Sequence, residues 1–139
     1  MKTSFINQQK HVYDSTLTGK RLKDETILFL GTGAIAQDTV KLLAPFNLKI
    51  IGVSKTGKQK AAFNQIYEIN KLDKLLGKAD IIINTLPETK ETYHLLKKHH
   101  FNLMKKSTLF INVGRGTIIE ERELIEILRE KLIRHAYLD

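Results

Sequence analysis

The hexapeptide Gly31-Thr32-Gly33-Ala34-Ile35-Ala36 carries the clearest chemical signal in the sequence. It follows an apolar run, Ile27 to Leu30, and opens a stretch in which Ala36, Val40 and Leu43 recur on one helical stripe. In a G-x-G-x-x-A turn between strand and helix, Gly31 permits the tight bend, Gly33 lets the backbone approach a diphosphate, and small Ala36 lets the helix pack close to the sheet. Free N–H groups at the helix start, at Ala34 and Ile35, and the positive end of the helix dipole then face the phosphates. An ordinary strand-to-helix turn also accepts glycine. The next apolar run, Leu48 to Val53, supplies the second strand that a dinucleotide site requires and favours that chemistry.

Specificity is decided at the end of that second strand. Roughly 20 residues beyond the glycines, an NAD site carries Asp or Glu to hold the ribose hydroxyls. Here the position is Ser54, followed by Lys55, Thr56 and Lys58, which offer cations and a hydroxyl to a 2′-phosphate that an acidic side chain would repel. NADP is therefore the preferred cofactor, with NAD the alternative if these are only solvated turn residues. Two further runs end in Asn84-Thr85-Leu86-Pro87 and Asn112-Val113-Gly114-Arg115-Gly116. Ligands bind beyond the carboxyl ends of strands in an open α/β sheet, so Leu86, Pro87, Val113 and Gly114 are expected to line the nicotinamide end. Arg115 is the sharpest catalytic candidate, because a guanidinium grips a carboxylate bidentately and polarises a neighbouring carbonyl. A surface cation or an internal salt-bridge partner would look the same at this position.

Four apolar runs, Ile27 to Leu30, Leu48 to Val53, Ile81 to Ile83 and Leu109 to Ile111, recur with room for a helix between neighbours. Each is apolar throughout, which suits strands buried on both faces. Ile66 and Tyr67 suggest a short extra strand. The first helix is expected to stop at Pro45. Asn70 is expected to cap a helix bearing Leu72, Leu75 and Leu76, with Gly77 as its left-handed stop. A last helix is expected behind Glu120, Glu121 and Glu123, with Leu124, Ile125, Leu128 and Leu132 at helical spacing. The expected fold is α/β: a Rossmann-type doubly wound parallel sheet in three α/β/α layers, joined by right-handed crossovers. Residues 1–20 read as a weak helix, to Tyr13, and a polar linker, and 21–139 as the dinucleotide-binding domain.

A chain of 139 residues, 42% hydrophobic and 27% charged, suits one globular domain. The absence of cysteine excludes disulfides and cysteine-ligated metal, and no metal site is expected. The start lacks a signal-peptide core and no apolar run reaches the ~20 residues of a membrane span, so a cytoplasmic protein without membrane contact is expected. The net charge of +8 is scattered in small lysine clusters, which read as solvated faces and not as a nucleic-acid footprint.

Taken together, the three ordered motifs resemble the cofactor-binding domain of the D-isomer-specific 2-hydroxyacid dehydrogenases. The likeness runs from Leu22 through Leu30 to Ala36, Asn84 to Thr92 and Ile111 to Gly116, continues through Ile118, Ile119, Glu120, Glu121 and Leu124, and ends in Ala136-Tyr137-Leu138-Asp139. The resemblance implies hydride transfer between NADP or NAD and a small 2-oxoacid or D-2-hydroxyacid. It makes Arg115 the substrate-binding arginine, lays Pro87 and Thr92 along the cofactor, and brings Asp139 to the nicotinamide carboxamide. A homodimer is also implied, since the family pairs through this domain. Ser54 departs from the NAD-using members. The family's catalytic glutamate and histidine follow the Leu-Asp segment, and His11, His94, His99, His100 and His135 do not match the histidine motif. The expectation is thus a truncated unit, its substrate domain absent, with negligible turnover by itself. The alternatives are a non-catalytic dinucleotide-binding module and a dimerisation unit.

Overall fold

The apolar runs become strands of a single sheet in the computed structural model, which describes residues 2–13 and 21–139, the side chains of 2–4 excepted. After a short helix α1 (Lys2–Gln9), the strands are β1 (Thr26–Leu30), β2 (Lys49–Ser54), β3 (Gln65–Glu68), β4 (Ile81–Asn84), β5 (Leu109–Asn112) and β6 (His135–Leu138). They pair in the order β3-β2-β1-β4-β5-β6, and every ladder is parallel. Strand order reverses between β1 and β4. In an open α/β sheet such a reversal leaves a crevice at the carboxyl edge, because the crossovers on either side depart to opposite faces.

Those faces are visible in the core. Ile27, Phe29, Ile50 and Ile66 pack with Ala36 and Val40 of α2 (Ala34–Leu43). On the other face, Leu28, Leu30, Ile51, Val53, Ile82 and Phe110 pack with α3 (Leu72–Leu76), α4 (Lys98–Leu103) and α5 (Glu121–Arg129). Period-2 alternation along β1 and β2 therefore feeds two cores, and both strands are buried nearly end to end. Edge-to-face ring pairs, Phe29 with Phe63 at 5.9 Å and Phe101 with Phe110 at 5.5 Å, tie each core together. The expected three-layer doubly wound sheet is what forms. Among the described residues no helix is long and apolar enough to cross a membrane.

Several local expectations are corrected. Strands β4 and β5 are not buried on both faces: Ile82, Asn84, Phe110 and Asn112 are buried while Ile81, Ile83, Leu109 and Ile111 are half-buried, because Ile81 and Ile83 lie at the rim of the α2-side core. Asn70 does not cap α3. It sits in a 3₁₀ turn, Ile69–Lys71, and its amide donates to Glu68 Oε2 at 3.1 Å. Gly77 is right-handed, at φ −70°, and is needed for closeness instead: a Cβ there would lie 3.1 Å from the Leu103 carbonyl oxygen. In α5 the buried stripe is Leu124 and Ile127, while Ile125 and Leu128 are exposed and Leu132 lies beyond the helix. The α1 helix ends at Gln9 and not at Tyr13, and the expected linker Asp14 to Gly19 lies outside the described residues. Strand β6 pairs Ala136 with Phe110 although Tyr137 and Leu138 are exposed.

Candidate functional site

At the end of β1 the chain turns at Gly31 with φ +94°, a left-handed conformation that disfavours any side chain. A Cβ there would also lie 2.9 Å from Thr85 Oγ1 and 3.2 Å from the Leu86 nitrogen. The turn is held from both sides: the Gly31 N–H donates to the Val53 carbonyl at 2.9 Å and the Thr85 N–H to the Leu30 carbonyl at 2.8 Å. Thr32 is buried over Gly52, where a Cβ would come within 2.6 Å of Thr32 Cγ2. Gln37 Nε2 donates to the carbonyls of Thr32 and Gly33 at 3.3 and 3.2 Å, and Lys60 Nζ donates to the Thr32 carbonyl.

Gly33 then caps α2. No neighbouring atom lies within 4 Å of where its Cβ would be, and no side chain caps the helix. The first-turn amides of an α-helix have no intrahelical acceptor, and they carry the positive end of the dipole. Exposed Ala34 and Ile35 leave that end accessible. An anionic diphosphate fits this open space, where it would meet donors without a competing side chain.

The β2 wall is polar. Ser54 Oγ accepts the Gly57 N–H at 3.1 Å and Thr56 Oγ1 lies 3.4 Å from the Lys58 nitrogen, so both hydroxyls serve their own turn. Lys55 and Lys58 are exposed, and Lys55 Nζ lies 3.4 Å from Glu91 Oε1. The backbone N–H of Glu91, the Thr89 hydroxyl and the Lys55 cation hold the Glu91 carboxyl below its ordinary range.

The opposite wall is built on two buried side chains. Asn84 Nδ2 donates to Asn112 Oδ1 at 2.8 Å; Asn84 Oδ1 accepts the Leu86 N–H at 3.2 Å. Asn112 Oδ1 also accepts the Gly114 N–H, and its Nδ2 donates to the Arg115 carbonyl, both at 3.1 Å. A Cβ on Gly114 would lie 2.7 Å from both Asn84 Nδ2 and the Leu86 carbonyl oxygen. Val113 is exposed beyond the strand end. Thr92 Oγ1 donates to the Pro87 carbonyl at 2.6 Å and accepts the Thr89 N–H at 2.8 Å, so it fastens its own loop.

Arg115 is exposed, with Nη1 donating to the Gly114 carbonyl at 3.0 Å. It lines a cleft of about 530 Å³ together with Glu88, His94, Thr117, Glu121 and Asp139. The Asp139 N–H donates to the Asn112 carbonyl at 3.0 Å, anchoring the end of β6 to β5. The sequence motifs thus converge on one sheet edge, and Arg115 and Asp139 share a cleft. His94, set aside from the sequence, is in that cleft too. Its φ is +48°, its N–H donates to the Thr117 carbonyl at 2.8 Å, and its ring stacks on Tyr93 at 4.0 Å. No sequence signal marks His94 or Lys60, and the two asparagines at the strand ends carry no sequence sign that they bond to each other.

Asp73, His99 and His100 also come together, between α3 and α4. Because His100 Nδ1 accepts the Lys97 N–H at 3.0 Å, the neutral ring carries its proton on Nε2, the nitrogen facing Asp73. That proton closes the nitrogen to a metal.

Comparison with known proteins fits this geometry. A family profile, "D-isomer specific 2-hydroxyacid dehydrogenase, NAD binding domain", matches residues 2–139. The chain belongs to that family and corresponds to its NAD-binding domain. It is similar to a glyoxylate reductase of Pyrococcus horikoshii, 35% identical over 115 residues that make up 83% of this chain and 34% of that protein. A D-isomer specific 2-hydroxyacid dehydrogenase family protein from Aeromonas salmonicida superposes with a TM-score of 0.89 at 36% identity, covering 100% of this chain and 44% of that one. An NADPH-dependent glyoxylate/hydroxypyruvate reductase from Sinorhizobium meliloti, solved with NADP and sulfate, gives 0.87 at 26% identity, covering 99% and 45%. The chain spans about a third of the length of the curated relatives it matches.

Proposed function

We propose that this chain binds NADP in preference to NAD and forms the cofactor half of an oxidoreductase that interconverts 2-oxoacids and D-2-hydroxyacids. The open space at Gly33, at an uncapped helix start, carries the proposal. Gly31, Gly33, Ala34 and Ile35 would hold the diphosphate. Ser54, Lys55, Thr56 and Lys58 would face the adenosine ribose, with the lysines favouring a 2′-phosphate. Pro87 and Thr92 would lie along the cofactor, and Leu86, Val113, Gly114 and Asp139 would bound the nicotinamide half. The NADP complex of the similar Sinorhizobium meliloti enzyme supports the preference.

The bound dinucleotide would supply a hydride to the carbonyl carbon of the oxoacid. Arg115 would anchor the carboxylate bidentately and, by its charge, stabilise negative charge growing on the adjacent oxygen. Its exposure and glycine neighbours leave room for that approach. Residues 21–139 would act as the dinucleotide unit, with residues 1–20 ahead of it, in a cytoplasmic homodimer.

Calorimetric titration with NADPH and NADH tests the proposal. Expected is saturable binding of both, with NADPH tighter by at least about tenfold, or about 1.4 kcal/mol. Tighter NADH would overturn the preference, and no binding of either would overturn the site.

A further inference from the structure

The contact between Lys55 and Glu91 joins two walls. Lys55 follows β2, Glu91 lies in the loop after β4, and these strands flank β1 on its two sides. All three run in one direction, so a pair linking the loops beyond β2 and β4 spans the width of β1 on the edge where Gly31 and Gly33 turn into α2. A dinucleotide with its diphosphate on the α2 start directs its adenosine toward the end of β2, and the ribose then arrives beside this pair.

Charge makes the meeting consequential. Lys55 is one of two exposed cations following β2 that can meet a 2′-phosphate, and in this structure its ammonium faces a carboxylate. Glu91 is ionised near neutral pH, since its own N–H, the Thr89 hydroxyl and Lys55 all favour the charged form. A 2′-phosphate that uses Lys55 must take it from Glu91 or share it, and in either case it comes to rest near a like charge. A ribose with a free 2′-hydroxyl encounters neither penalty. With side chains 83% and 69% exposed, the pair is screened and opens readily, so it modulates affinity without barring entry.

We propose that Glu91 is a specificity-determining residue: from the wall opposite β2 it competes with the 2′-phosphate for Lys55 and so moderates the discrimination between NADP and NAD. This rests on the proposed cofactor site. Discrimination then depends on two loops and not on the end of β2 alone.

The test is calorimetric titration of the 139-residue chain and its variants Glu91→Gln, Lys55→Met and the double variant with NADP and NAD, at low and high salt. Expected for Glu91→Gln is NADP binding about two- to fivefold tighter at low salt, with NAD affinity unchanged. The gain should shrink by at least half in the Lys55→Met background and at high salt. Glu91→Lys should shift the ratio further in the same direction. Thermal unfolding followed by circular dichroism, with a midpoint close to that of the unmodified chain, certifies that each variant is folded. An equal change for both cofactors, a loss of NADP affinity in Glu91→Gln, or a gain that survives intact without Lys55 would overturn the proposal. If the unmodified chain prefers NAD, the NADP preference fails by itself; a Lys55-dependent rise in the NADP to NAD affinity ratio would still uphold the role of Glu91. Absence of binding by either cofactor would overturn both.

Discussion

On the β1–β2 side the crevice is made of backbone: glycines at 31 and 33, a helix start, and a carbonyl held by Gln37 and Lys60. On the β4–β5 side it is made of side chains, with buried Asn84 and Asn112 bonding to each other and to both loops that leave their strands. The first wall is open where a ligand would come, since no atom beyond its chain neighbours lies within 4 Å of a Cβ on Gly33. The second is filled by its own contacts, as the 2.7 Å approaches at Gly114 attest. One strand edge thus carries a wall shaped for something else and a wall shaped for itself. Substitutions should therefore cost function on one side and stability on the other.

The sharpest challenge is Gly114→Ala, whose methyl group would overlap a backbone carbonyl that has little freedom to move. A loss of about 3 kcal/mol in urea unfolding is expected; an unchanged midpoint would mean that the wall yields. Next comes Asn84→Ala, which strips the Leu86 N–H of its acceptor and Asn112 of its partner. About 2 kcal/mol should be lost in the same measurement. Gly33→Ala should behave oppositely, with stability within about 1 kcal/mol of the unmodified chain but dinucleotide affinity reduced at least about tenfold by calorimetry. Were it to unfold the chain as Gly114→Ala does, the contrast between the walls would vanish. The smallest effect concerns pH and lies in the helix packed behind the second wall. Burial pushes the His100 ring below its ordinary value of 6.5, with His99 acting in the same sense and Asp73 against it. Below that value the unfolded chain takes up a proton that the folded chain resists, so stability should fall as pH drops from 6.5 toward the folded value. His100→Gln, which can still accept the Lys97 N–H, should flatten that decline in pH-dependent thermal unfolding.

The β1–β2 wall is the more legible from sequence because its residue types announce it. A tight bend calls for Gly31 and close helix packing for a small Ala36, and the continuous apolar runs of β1 and β2 announce strands buried on both faces. The β4–β5 wall resisted for the converse reason. Nothing in Ile81 to Ile83 reveals that the α2-side core reaches only its rim there, so alternation was missed. Asn84 and Asn112 stand 28 residues apart, and a reciprocal side-chain bond is not encoded in either neighbourhood. Gly77 misled because glycine answers two needs, positive φ and close approach, and only three dimensions tell which. His94 does not match the family's histidine motif, yet its backbone bond to Thr117 brings it into the Arg115 cleft.

The glycine turn is also not self-sufficient. Its shape needs the Val53 carbonyl from β2, the ammonium of Lys60 from the stretch beyond it, and Thr85 from the end of β4, a partner 55 residues away from Leu30. An isolated β1–α2 hairpin would carry the fingerprint without the geometry, because closing those long loops precedes any gain from them. Affinity for a dinucleotide should consequently arise late in folding, all at once, as a readout of the assembled sheet.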